Sequence, residues 1–100
     1  MKSDHIKNLD FLVNLHADTL KASSDEVGGV YVARIDIDKA SEKISLEVEL
    51  NEGTIAFSYV VDIEEHDECY NYLIQKLRNT GIKVFADYGD FERALEEYNR

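Results

Sequence analysis

The fold is decided by a stretch of strict alternation in the middle of the chain, residues 44–50, which reads ISLEVEL. Every second residue is apolar, and the residues between them are serine or glutamate. A period of two places successive side chains on opposite faces of a β-sheet, so this stretch predicts a strand with one buried and one solvent-facing side. The residues expected to face the core are Ile44, Leu46, Val48 and Leu50.

Two neighbouring strands are predicted on either side of this stretch. Residues 55–61 alternate again after the turn 51–54, in which Gly53 can adopt the positive φ of a tight turn. Residues 31–38 alternate before it, with Tyr31, Ala33, Ile35 and Ile37 expected on the core side. Placing core residues opposite core residues fixes the register. The predicted pairs are Leu50–Ile55, Val48–Phe57, Leu46–Tyr59, Ile37–Ile44 and Ile35–Leu46.

Helices are predicted before and after this three-stranded meander in the sequence. Residues 4–22 have apolar residues at helical spacing, with Ser3 as the expected cap. Residues 63–79 form a second helix, for which Asp62 and Glu65 have the spacing of a capping box. The residues expected on its buried side are Ile63, Tyr70, Leu73, Ile74 and Leu77.

The end of the chain predicts a short edge strand, residues 82–86, and a last helix. Asp90 is the expected cap of that helix, and the residues expected to face inward are Phe91, Ala94, Leu95 and Tyr98. The sequence therefore predicts an α+β fold in a single domain, residues 1–100, with the order α-β-β-β-α-β-α. A three-stranded antiparallel meander plus a short edge strand would have its helices packed on one face.

The order of elements resembles that of the double-stranded-RNA-binding domain. That family carries basic residues at the start of its second helix, where this chain has Glu64, Glu65, Asp67 and Glu68. The order and the acidity are also similar to those of type III secretion chaperones, which are longer and have further strands. Neither resemblance rests on a specific motif, so the sequence assigns the chain to no family.

The charge balance narrows the class of partner. The chain has 21 acidic residues against 11 lysines and arginines, a formal net charge of −10. Such a surface repels nucleic acid phosphates and anionic membranes, so we expect no direct binding to either. The single cysteine and the lack of an apolar signal segment favour a reducing cytoplasm. A bacterial or phage-infected host cell is a working assumption that these features do not test.

The acidity is concentrated in one stretch. The 32 residues from Ile44 to Gln75 contain no lysine or arginine, and they carry eight of the ten net negative charges. The acidic residues of this stretch are Glu47, Glu49, Glu52, Asp62, Glu64, Glu65, Asp67 and Glu68. Five of them fall within residues 62–68, more than the stabilisation of a helix N-terminus requires. A basic protein partner would explain this density.

These residues, together with Tyr72 on the same predicted helix face as Glu65 and Glu68, form the predicted partner-binding site. Two mechanisms fit a basic partner that handles nucleic acid or is a nuclease. One is occlusion of an active site, as in toxin-immunity proteins. The other is imitation of phosphate spacing, as in phage anti-restriction and anti-CRISPR proteins. The alternative is a merely solvated acidic face on a protein with another role.

A different class of function is indicated by the first predicted helix. Phe11 and Leu15 are four residues apart and lie off its main apolar stripe. Unless another element covers them, they form an exposed apolar patch. A small homodimeric adaptor, chaperone or regulatory subunit is therefore the alternative hypothesis, with these two residues as the dimer contact.

The residues that could carry catalysis or hold a metal do not form a complete site. Asp36, Asp38 and Glu47 match part of a calcium-binding loop, but Ser41 stands where that loop needs glycine. His66 and Cys69 lie three apart on a predicted helix, without the second ligand pair of a structural zinc site. We therefore expect no enzymatic activity, no metal and no cofactor.

Overall fold

The computed structural model describes residues 3–100, except for the side chains of Ser3 and Glu52. Its helices are α1 (Ser3–Leu15), α2 (Ala17–Val27), α3 (His66–Asn79) and α4 (Tyr88–Tyr98). Its strands are β1 (Tyr31–Asp38), β2 (Lys43–Glu49) and β3 (Ile55–Asp62), and short 3-10 turns span Asn51–Gly53 and Ile63–Glu65. The predicted α+β class with a three-stranded antiparallel meander is confirmed. Within residues 3–100 no helix has the length and apolar character needed to cross a membrane.

The pairing of β2 with β3 follows the predicted register over most of its length. Val48 lies opposite Phe57 and Leu46 lies opposite Tyr59, as the alternation predicts. Next to the turn the register shifts, and Glu49 rather than Leu50 lies opposite Ile55. Leu50 instead donates its backbone N–H to the Thr54 carbonyl at 2.7 Å and closes the turn.

The predicted register of β1 is wrong by one residue. Arg34 lies opposite Leu46 and Asp36 opposite Ile44, so Ile35 points to the opposite side from the one predicted. Ile37, which was predicted opposite Ile44, lies at an irregularity of β1 and is exposed. Arg34 is accommodated on the helix-facing side because its guanidinium carbon lies 4.3 Å from the centre of the Tyr70 ring. A cation–π contact at a sheet edge has no signature in the alternation of β1 itself.

The core lies between the sheet and the helices α1 and α3. Leu46 and Val48 of β2 are fully buried against Leu9 of α1 and Leu73 of α3. The other fully or almost fully buried aliphatic residues of this cluster are Val13, Leu20, Val30, Val32, Ile44, Val61, Leu77 and Ile82. One face of the sheet is therefore covered by helices.

The predicted single helix 4–22 is two helices with a break at His16. His16 has φ −102° and ψ 11°, and its ring stacks on Phe57 at 5.3 Å. The break lies between the buried Val13 and the buried Leu20, so each helix can direct its own apolar residues at the core. The second helix continues to Val27 and ends at Gly28, whose φ of 92° is the left-handed conformation that glycine adopts readily.

The start of α3 also differs from the prediction. Residues 63–65 form a 3-10 turn, and Asp62 makes no capping hydrogen bond but pairs with Lys43. Ile63, expected to be buried, is exposed, whereas Leu73 and Leu77 are buried as predicted. Because Asp62 and Lys43 face each other across β3 and β2, the cross-strand pair takes the place of the cap.

The last segment pairs less with the sheet than expected. Residues 82–86 make a single parallel bridge, Val30–Val84, instead of a longer edge strand. The cap of α4 is Asp87, whose carboxylate accepts the Gly89 N–H, and not Asp90. Phe91 is fully buried as predicted, but Tyr98 is exposed.

Candidate protein-binding surfaces

The sheet separates the predicted acidic residues into two groups. Leu46 and Val48 face α3, so the alternation of β2 sends Glu47 and Glu49 to the other side of the sheet. The carboxylates of residues 62–68 lie where β3 ends and α3 begins. The acidic stretch therefore contributes to two surfaces, while Glu52 has its side chain outside the described part of the structure.

We call the first surface the acidic end, which comprises Glu42, Asp62, Glu64, Glu65, Asp67 and Glu68. The turn between β1 and β2 reaches it because the Ile63 N–H donates to the Glu42 carbonyl at 2.9 Å. A depression of about 130 Å³ opens here and is lined by Ser41, Glu42, Asp62, Ile63 and Glu64. Three carboxylates thus line one depression, although Glu42 lies 20 residues before Asp62 and 22 residues before Glu64 in the sequence.

Some carboxylates of the acidic end already have partners within the chain. Asp67 lies 3.4 Å from the Arg34 guanidinium and 3.2 Å from His66 Nε2. Asp62 pairs with Lys43. Among residues 3–100, neither Glu42 nor Glu64 forms an ion pair, and both are exposed. These two residues are consequently the available anionic groups of the depression.

The buried side of the acidic end is organised by His5. Its Nε2 lies 2.6 Å from Glu65 Oε2, and its Nδ1 lies 2.7 Å from the Tyr59 hydroxyl. Asn8 donates to the same hydroxyl at 3.0 Å. The group joins α1, β3 and the start of α3, so Glu65 serves mainly to hold these elements together.

Tyr72 has a similar internal role. Its hydroxyl donates to the Asp10 carboxylate at 2.6 Å, which connects α3 to α1. This hydrogen bond, followed by burial, raises the pKa of Tyr72. The predicted contact residue Tyr72 is therefore half-buried and engaged with α1, away from the exposed carboxylates.

The second surface is the side of the sheet opposite α1 and α3, which we call the outer face. Ile35 of β1, Ser45 of β2 and Val60 of β3 lie side by side across it. Ile35 is 43% and Val60 48% exposed, and Ser45 between them is only 4% exposed. Glu47 and Glu49 continue the outer face along β2, and burial, then the charge of Glu47, raises the pKa of Glu49.

The predicted apolar pair on α1 is indeed exposed. Phe11 and Leu15 are each 63% exposed, and no described element covers them. They lie on the helix that also supplies the buried Leu9 and Val13. This exposure meets the condition on which the homodimer hypothesis depends.

Cys69 and His66, two of the residues considered for catalysis or metal binding, have partners or burial that serve the fold. Cys69 is fully buried, and burial, then the nearby charge of Glu65, raises the pKa of its thiol. Both nitrogens of His66 are engaged, Nδ1 with the Ile63 carbonyl and Nε2 with Asp67. Within residues 3–100 there is no group of three or more histidine, cysteine or carboxylate side chains placed to hold a metal ion.

Sequence reasoning missed Glu42 and His5. Glu42 lies 22 residues before Glu64, and His5 lies 60 residues before Glu65. Neither pair has a spacing that indicates contact, because both meet only through the pairing of the strands and the packing of α1. No local pattern could have revealed them.

No protein-family model matches the chain, and no curated protein or solved structure is significantly similar to it. The function must therefore be argued from the geometry of the two surfaces and of α1.

Proposed function

We propose that this chain is a non-enzymatic protein-binding module that docks its acidic end onto a basic surface of another protein. The observation that carries the proposal is the depression lined by Glu42, Asp62 and Glu64. A lysine or arginine of a partner could enter it and meet two carboxylates that have no ion pair among the described residues. Arginine is favoured, since its planar guanidinium can contact two carboxylates at once.

The surroundings of the depression support the same kind of partner. Asp67 and Glu68 are exposed on the first turn of α3, which follows the depression residue Glu64 in the chain. Exposed carboxylates around an interface accelerate association with a basic protein and disfavour acidic ones. A nuclease or another nucleic-acid-handling protein has a basic surface of the required kind. Because the carboxylates surround one depression, we favour occlusion of a basic site over imitation of a phosphate row.

The proposal is tested by charge reversal at exposed positions only. The variant Glu42→Lys, Glu64→Lys, Glu68→Lys changes the acidic end and leaves the His5–Glu65 contact in place. The matched control Glu92→Lys, Glu96→Lys, Glu97→Lys has the same net charge but changes α4, where all three residues are exposed. Each protein is immobilised, incubated with lysate of its source cell, and its bound proteins are identified by mass spectrometry.

We expect a basic protein that the parent and the α4 control retain and the acidic-end variant loses. Its association with the parent should slow as the salt concentration rises, since ions screen exposed charges over about 10 Å at 0.1 M. Equal retention of that protein by the acidic-end variant would refute the proposal. Thermal unfolding of all three proteins shows whether the substitutions leave the fold intact.

The exposure of Phe11 and Leu15 favours a second candidate, a homodimeric adaptor, chaperone or regulatory subunit. Two copies could cover both residues by pairing their α1 helices. Sedimentation of the parent and of Phe11→Asp measures this directly. A dimeric parent and a monomeric variant would support the candidate, and a monomeric parent would exclude it.

A further inference from the structure

The outer face of the sheet carries an apolar patch that no described element covers at its centre. Ile35 and Val60 flank Ser45 on the row that crosses all three strands, and together they shield its hydroxyl-bearing side chain. Ile37, at the irregularity of β1 two residues beyond Ile35, is 53% exposed. Two large aliphatic side chains are thus presented together on one side of the sheet, and an exposed apolar patch is a candidate protein-binding surface.

The dimensions of the patch argue against a second copy of the chain as its occupant. Three strands spaced about 4.8 Å apart give a width of about 14 Å, and seven residues of β2 at about 3.3 Å each give a length of about 23 Å. The resulting area of about 330 Å² is well below the roughly 800 Å² that each partner of a stable protein–protein interface buries. A symmetric contact would also bring Glu47 and Glu49 of both copies into one small interface.

The charges of the outer face favour a cationic occupant. Glu47 and Glu49 are half-buried neighbours on β2, and they continue directly from the apolar row at Ser45. The raised pKa of Glu49 reflects partial burial beside another carboxylate without a compensating cation. Lys43, on the same strand, is paired with Asp62. A positive charge supplied by a partner would relieve this repulsion.

The width of the sheet and the distances between residues of β2 are compatible with an α-helix lying along the outer face. A helix is about 10 Å wide with its side chains, which fits within a sheet about 14 Å wide. Ser45 and Glu49 are four residues apart in an extended strand, a distance of about 13 Å. On a helix with a rise of 1.5 Å per residue, this separation corresponds to positions about seven to nine residues apart. If the apolar stripe of a docked helix lies over Ser45, the helix residues about seven positions further along lie over Glu47 and Glu49.

We propose that the outer face docks an amphipathic helix of another protein, with its apolar stripe on Ile35 and Val60 and its lysine or arginine residues over Glu47 and Glu49. This interaction goes beyond the binding at the acidic end and uses different residues, on β1, β2 and β3. The module thus has two binding surfaces. The depression of the acidic end binds a lysine or arginine side chain, and the outer face binds a cationic helix.

The test uses a synthetic peptide of about 18 residues as the probe, with leucines at i, i+3 and i+4 and arginines at i+7, i+8 and i+11. The full chain is labelled with ¹⁵N, and amide shift changes during peptide titration give both the site and the affinity. A control peptide carries glutamates in place of the arginines. We expect shift changes centred on Ile35, Ser45, Glu47 and Val60, and no saturable binding of the control peptide.

Variants of the chain separate the two surfaces. Ile35→Thr with Val60→Thr keeps β-branched residues in the strands and should weaken peptide binding about 10-fold or more. The control Leu15→Gln, which removes a more exposed apolar residue from α1, should leave the affinity unchanged. The acidic-end variant should also bind the peptide normally, so failure of one surface is distinguishable from failure of the other.

Three results would overturn the inference. One is a set of shift changes centred on the acidic end. Another is undiminished peptide binding by the Ile35→Thr, Val60→Thr variant. The third is a parent dimer in sedimentation that the same variant converts to a monomer, because a second copy would then be the occupant of the outer face.

Discussion

The two sides of the sheet use the same strand for different purposes. Leu46 and Val48 of β2 are fully buried under α1 and α3, whereas Ser45, Glu47 and Glu49 of the same strand form the outer face. On the covered side, contacts come from residues far apart in the sequence and hold the fold together. On the outer side, aliphatic and acidic residues lie next to each other, and α4 packs against the end of this side at Tyr31, whose ring stacks on Phe91 at 5.8 Å. The comparison indicates that one side of β2 stabilises the fold, while the proposed binding uses its other side.

The largest effect is expected from truncation on the covered side. Leu46→Ala leaves a cavity between the sheet and α3 and should lower the free energy of unfolding by about 2–5 kcal/mol. The control Ser45→Ala, at the next residue but on the outer face, loses only a 3.4 Å contact with Glu47. Urea unfolding followed by circular dichroism measures both. Similar losses for the two variants would contradict the assignment of the two sides.

An intermediate effect is expected from the polar group that joins α1 to the sheet. Tyr59→Phe removes the hydroxyl that contacts both His5 and Asn8 and should lower the free energy of unfolding by about 1–2 kcal/mol. His5→Gln should lose a similar amount, and the double variant should lose less than the sum because the two residues share one contact. Strictly additive losses in urea unfolding would show that the two side chains do not interact.

A smaller effect, with a defined pH dependence, is expected at Glu49. Burial raises the pKa of this carboxyl in the folded chain above its ordinary value of 4.5, so its ionised form disfavours folding at neutral pH. Glu49→Gln should therefore raise the unfolding temperature at pH 7. The gain should disappear as the pH falls below 4.5, where the carboxyl is protonated in both states. A gain that persists at pH 3 would assign the effect to packing instead of charge.

The smallest effect on stability is expected on the outer face itself. Ile35→Thr and Val60→Thr replace half-exposed residues that no helix covers, so each should change the free energy of unfolding by less than about 0.5 kcal/mol. Their unfolding curves, recorded beside that of Leu46→Ala, complete the comparison of the two sides. A loss of 2 kcal/mol or more, as is usual for core residues, would show that the outer face belongs to the core.

The sequence was sufficient for the strands β2 and β3 but not for the face of β1. The alternation from Ile44 to Val48 has one apolar side, which determines both its buried face and its pairing with Phe57 and Tyr59. In β1 the side with Tyr31, Ala33, Ile35 and Ile37 is the more apolar, and yet Val32 is the residue that enters the core. The cation–π contact of Arg34 with Tyr70 makes this possible, and a contact between residues 36 apart leaves no local pattern.

The helices show the same division between local and distant causes. The buried positions Leu73 and Leu77 follow from their spacing, as does the buried Phe91. The break at His16 and the extension of α2 over Ser23 and Ser24 do not follow from the spacing of apolar residues. Those two serines are buried because their hydroxyls accept the backbone N–H groups of Asn51 at 2.8 Å and Lys83 at 3.0 Å. Their role depends on loops that the sequence alone does not bring together.

Of the candidate site, the sequence indicated the carboxylates but not their arrangement. The absence of lysine and arginine from residues 44–75 identified Asp62, Glu64, Asp67 and Glu68. It did not indicate that Glu42 joins them around a depression, since the turn between β1 and β2 reaches β3 only in the folded chain. It did indicate that Glu47 and Glu49 lie on the side of the sheet away from the core, because the alternation of β2 has one apolar side.

The central claim is that the acidic end, and not acidity in general, binds a basic protein. The most direct measurement is the dissociation constant of the isolated partner for the parent, the acidic-end variant and the α4 control at one salt concentration. We predict a weakening of about 100-fold or more for Glu42→Lys, Glu64→Lys, Glu68→Lys and less than about 3-fold for Glu92→Lys, Glu96→Lys, Glu97→Lys. Equal weakening by both variants would mean that net charge alone attracts the partner, and no weakening by either would place the interface elsewhere.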